Sequence, residues 1–76
     1  MKQNKYTDDW GSMIVTFKGD ITTAEFWDKH GNYARGSAKY HPDDRYTENF
    51  GQALAIARAS YRYFKKIEKK LVKSTK

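Results

Sequence analysis

Two groups of side chains in this 76-residue sequence have the types and spacing for recognition chemistry. The first is a run of cations, Arg58, Arg62, Lys65, Lys66, Lys69, Lys70 and Lys73, with Glu68 as the one acid among them. Lys and Arg at this density bind phosphate or carboxylate groups. The second is Trp27, Tyr33, Arg35 and Lys39, aromatic rings beside cations, suited to stacking unpaired bases or to anchoring a protein partner. A third cluster, His41-Pro42-Asp43-Asp44, carries the ingredients of metal binding or acid–base work. Pro42 sets a turn there, however, and Asp before a helix is ordinary capping chemistry. No Gly-rich phosphate loop, nucleophile motif or zinc spacing occurs. The chain is read as a non-enzyme, with no catalytic residue, metal site or cofactor assigned.

The net charge of +6 is unevenly spread. Residues 1–57 hold 7 basic and 8 acidic residues, whereas residues 58–76 hold 8 basic residues against one acid. A basic C-terminal segment on a near-neutral body points to an anionic partner: nucleic acid, an acidic protein surface or a lipid headgroup. The plain alternative is a solvated helix face, some of whose lysines simply suit the helix C-terminal dipole. There are no cysteines, so neither disulfides nor thiolate metal sites support the fold. No apolar run approaches the ~20 residues of a membrane span. MKQNKYTDDW lacks the apolar core of a signal peptide, which predicts a cytoplasmic protein with no membrane partner.

The elements that must position these groups follow from periodicity. Residues 12–18, 21–28 and 32–40 alternate apolar and polar positions and predict three strands. Gly19-Asp20 and Lys29-His30-Gly31 supply the hairpin turns. The turns predict that Phe17 faces Thr22, Val15 faces Ala24, Met13 faces Phe26, Phe26 faces Ala34 and Ala24 faces Gly36. Met13, Val15, Phe17, Ala24, Phe26, Ala34, Ala38 and Tyr40 then share the inner face. Trp27, Tyr33, Arg35 and Lys39 share the outer one, with Trp27 opposite Tyr33. That pair could equally serve only to stabilise the hairpin.

Residues 47–72 predict one long helix, capped from Asp43, Asp44 or Thr47. Phe50, Leu54, Ala57, Tyr61, Phe64, Ile67 and Leu71 form its apolar stripe, with Tyr61 in the core, Tyr63 at the margin and the cations opposite. Gly51, like Ala34, Gly36 and Ala38, permits close approach to the sheet. The last turns should overhang the sheet and carry Ile67, Leu71 and Val72 into solvent, where a second copy could pair with them. Residues 1–11 are expected to be a loosely held arm, pinned at Trp10, and 73–76 a basic tail. The fold class is α+β: a three-stranded antiparallel meander packed on one long C-terminal amphipathic helix, in a single domain over residues 12–72.

Gly36, Ala38, His41-Pro42-Asp43-Asp44, Gly51, Ala53-Leu54-Ala55 and Arg58-Ala59 together resemble a pattern in a family of small phage and Gram-positive bacterial proteins. A related actinobacterial family has a fold similar to double-stranded-RNA-binding domains. The likeness covers about 24 residues, counted over Gly36 to Ala59, and its motifs are structural. It implies a sheet packed on a helix and a phage origin, and it supplies no activity.

The leading expectation is therefore a small non-enzymatic binding protein that holds nucleic acid through Arg58, Arg62, Lys65, Lys66, Lys69, Lys70 and Lys73. Trp27, Tyr33, Arg35 and Lys39 would stack or position. The competing expectation is a phage-encoded factor that inhibits or redirects a host protein with an acidic surface, such as a nucleic-acid-guided defence nuclease.

Overall fold

A computed structural model describes residues 2–39 and 48–74. Its order is β1 (Lys2–Asp8), β2 (Gly11–Lys18), β3 (Ile21–Asp28), β4 (Tyr33–Lys39) and α1 (Glu48–Ser74). The strands form one antiparallel meander in the order β1-β2-β3-β4. The class is α+β, with four strands rather than three. His41-Pro42-Asp43-Asp44, Tyr40, the proposed caps and residues 75–76 lie outside the described residues.

The expected arm is β1. It pairs along its whole length with β2, from Lys2 opposite Phe17 to Asp8 opposite Gly11. Its residues are almost all exposed and polar, so it lacks the apolar alternation that marks a half-buried strand. Backbone pairing at the sheet edge holds it instead. Trp10 sits in the turn after β1, where its amide donates to Asp8 Oδ1 at 2.9 Å. Its ring meets Phe26 edge-on at 5.8 Å.

The register of β2, β3 and β4 is the expected one. Val15 faces Ala24, Met13 faces Phe26, Phe26 faces Ala34 and Trp27 faces Tyr33. Gly31 adopts φ 83° in the β3–β4 turn, a left-handed conformation that suits glycine. Val15, Ala24, Phe26, Ala34, Ala38, Ala55 and Ala59 are buried and form the core.

The helix lies on β4 and β3, with no comparable contact to β1 or β2. Its sequence is rich in Ala, Leu, Lys and Arg, all good helix formers. Its orientation differs from the expected one. Ala55 and Ala59 are buried and Tyr63 half-buried, at steps of four, whereas Phe50, Ala57, Tyr61, Phe64 and Leu71 are exposed. Tyr61, expected in the core, is 62% exposed, and Leu54 and Ile67 are only half-buried.

The reason lies at Gly36. A Cβ placed there would stand 2.3 Å from the Ala59 nitrogen and 2.6 Å from the Ala55 oxygen. Helix and strand backbones are in direct contact, so only small residues fit between them. The bulky residues turn outward. From Glu68 onward every described side chain is exposed, so the overhang is real. Among the described residues, no helix is long and apolar enough to cross a membrane.

Candidate nucleic-acid interface

In the order β1-β2-β3-β4, β4 is an edge strand, and its outer backbone groups have no strand partner. Helix side chains supply donors for three of its carbonyls and for the Asn32 side chain in the turn before it. Arg58 Nη1 donates to Ser37 O at 2.7 Å and Arg62 Nη1 donates to Arg35 O at 2.9 Å. Lys66 Nζ donates to Tyr33 O, and Lys70 Nζ donates to Asn32 Oδ1. Helix numbers rise as strand numbers fall, so α1 runs antiparallel to β4.

Two repeats nearly coincide here. Four helical residues advance about 6 Å, and two strand residues advance about 6.6 Å. Cations at every fourth position therefore meet carbonyls at every second one. Long flexible side chains absorb the small difference in step.

Four of the seven cations expected to meet phosphate thus line the β4 edge. Each bond uses a single donor. A guanidinium has five N–H groups and an ammonium three, so the exposed heads of Arg58, Arg62 and Lys66 keep further donors and their charge. Lys65 lies elsewhere, over the Tyr61 ring at 5.1 Å from its centroid. The Tyr61 hydroxyl raises the Lys65 pKa and keeps the amine charged. Lys69 and Lys73 are exposed on the same helix.

Trp27 and Tyr33 stand on the outer sheet face, ring centroids 5.2 Å apart and planes tilted by 48°. The Tyr33 hydroxyl donates to Glu25 Oε2 at 2.7 Å, and this bond raises its pKa and keeps the phenol neutral. Glu25 is opposite Arg35 in the register. Lys39 approaches Asp20 at 4.0 Å, an exposed pair of little energetic weight.

The two groups that the sequence assigns to separate elements meet at one place. Lys66, bonded to Tyr33 O, also has its ammonium 5.8 Å from the centroid of the Tyr33 ring. Arg35 and Lys39 rise from β4 itself, next to the row formed by Arg58, Arg62, Lys66 and Lys70. A cationic strip therefore follows the β4 edge and ends on an aromatic pair.

The strip is anchored by a residue that the sequence reading passed over. Asp28 ends β3, and its Oδ1 accepts the amides of His30 and Asn32 at 2.9 and 2.8 Å. Its Oδ2 accepts Asn32 Nδ2 and the Tyr63 hydroxyl, each at 2.7 Å. Desolvation alone would raise the Asp28 pKa. Hydrogen bonds from the Asn32 side chain, Tyr63 and the two amides outweigh it and hold the carboxyl well below the usual range. Asn32, thus fixed, presents Oδ1 to Lys70. An Asp four residues before an Asn across a Gly-containing turn was the available signal.

Among the described residues, no three His, Asp or Glu side chains gather in a way that could hold a metal ion. No protein-family model matches the chain, and neither the curated proteins nor the solved structures provide a match.

Proposed function

We propose that the protein is a small non-enzymatic binder of single-stranded nucleic acid. The strand would follow the β4 edge, with phosphates on Arg35, Lys39, Arg58, Arg62, Lys66 and Lys70 and a base stacked at Trp27 and Tyr33. The observation that carries this reading is the place of Lys66, which joins the cation row to the aromatic pair. Stacking on a flat sheet face needs bases already unpaired, which favours single strands over duplex. Phosphate contacts give affinity with little sequence preference.

The test is a fluorescence-anisotropy titration with labelled single- and double-stranded DNA and RNA. Six phosphate contacts to a single strand give a log–log salt slope of about −4, hence a roughly 250-fold loss between about 50 and 200 mM salt. Single strands should bind more tightly than duplexes. No binding at the lower salt overturns the reading and moves it to an acidic protein surface, which would draw on the same cations.

A further inference from the structure

The cations of the β4 edge are spaced as well as charged. Arg58 and Arg62 donate to the oxygens of Ser37 and Arg35 at 2.7 and 2.9 Å, and Lys66 donates to the oxygen of Tyr33. These carbonyls belong to alternate residues of one strand, so the heads are held in a line at intervals of roughly 6.6 Å. Lys70, bonded to the Asn32 side chain, carries the row one step further. From Arg58 to Lys70 the helix advances about 18 Å. All four side chains are exposed.

That interval sets a condition on any nucleic-acid strand lying along the row. A stacked strand advances about 3.4 Å per phosphate, roughly half of the step between cations. It also coils. Over about 18 Å it completes about half a turn, which swings its phosphates away from a straight edge. Once the bases unstack, the sugar–phosphate backbone can be drawn out to nearly twice the stacked rise, and each phosphate then meets a cation in turn.

We infer that the site holds its strand extended, one nucleotide per cation, and thereby selects pyrimidine-rich strands over purine-rich ones. The inference rests on the single-strand reading above and names the strands that suit it. No base edge is read along the row. The selection arises in the free ligand: adjacent purines stack more strongly than adjacent pyrimidines, and that stacking must be given up before the phosphates reach the cations. Stacking on the protein compensates at one place, where Trp27 and Tyr33 form a platform beside Lys66. The neighbouring groove of about 270 Å³ on the outer sheet face is lined by Thr16, Lys18, Ile21, Thr23, Glu25 and Arg35. Among the described residues it offers no second ring for another base.

Fluorescence anisotropy with labelled oligothymidylate and oligoadenylate of about eight nucleotides tests this at one low salt concentration. Oligothymidylate should bind about threefold to tenfold more tightly. 2-Aminopurine set inside the oligoadenylate should brighten on binding, because stacking on its neighbours quenches it in the free strand. Trp27→Ala should weaken both ligands and keep oligothymidylate the tighter one, since the preference comes from the row. Equal or tighter binding of oligoadenylate, or no brightening, overturns the inference and leaves single-strand binding standing. A preference that vanishes in Trp27→Ala overturns it too, and assigns the selection to a base held at the aromatic pair. If neither strand binds, the nucleic-acid reading itself has failed, and this inference falls with it.

Discussion

Arg62 donates to the backbone oxygen of Arg35 at 2.9 Å, so one arginine of the cationic strip is held in place by the main chain of another. The charge is thereby positioned before any ligand arrives, and one outward carbonyl of the β4 edge is capped by the same bond.

Removing that bond should loosen the edge. Arg62→Met keeps the aliphatic stem and loses the donor. We expect a loss of about 0.5–1 kcal/mol in urea denaturation, the range of one solvent-exposed hydrogen bond. The double variant Arg58→Glu/Arg62→Glu should also increase light scattering on storage, because it exposes β4 to pairing with other chains.

Gly36→Ala should cost far more than its single methyl suggests. The new Cβ would press on the Ala59 nitrogen and the Ala55 oxygen, which are backbone atoms that cannot rotate away. A loss of about 3 kcal/mol is expected, read as the shift of the denaturation midpoint.

Acid should weaken the fold through Asp28. Its carboxyl is held below its ordinary value in the folded chain, so the folded state favours the ionised form. The stabilisation is complete above the unfolded value of about 4 and is lost progressively as pH falls below it. Asp28→Asn should lower the denaturation midpoint at neutral pH and flatten its fall from pH 5 to pH 2, roughly the window of carboxylate titration. An unchanged slope in the variant would assign the acid sensitivity to other carboxylates.

Trp27→Ala should weaken single-strand binding by about 1–3 kcal/mol, the value of one stacked base. Its effect on duplex binding should be smaller. Arg35→Gln, at an exposed position and without a like charge opposite Glu25, should reduce affinity for all nucleic acids alike and leave the fold intact. Anisotropy on both variants, beside a thermal melt, separates binding from stability.

Much of the sheet was legible in the sequence because β2 and β3 alternate apolar and polar residues, β4 alternates the small Ala34, Gly36 and Ala38 with polar ones, and the chain turns at Gly19 and Gly31. Period and turn length together set the register that places Trp27 opposite Tyr33. The first strand was hidden, since Lys2–Asp8 carries Tyr6 as its one large apolar residue and draws its stability from backbone pairing. The rotation of α1 was hidden for a different reason. Hydrophobic periodicity weights bulky residues, while the contact with β4 selects the smallest. Gly36 between Ala34 and Ala38 was the clue to a helix whose inner side is Ala55 and Ala59. The cations were legible as a charged row, but their bonds to Ser37, Arg35 and Tyr33 depend on β4 being an edge, which only the sheet order reveals.

With the outward carbonyls of Tyr33, Arg35 and Ser37 taken up by Lys66, Arg62 and Arg58, a strand arriving at β4 must first displace those side chains. The border of the sheet beside the helix is thus the harder of the two to extend, and an added strand meets less resistance at β1.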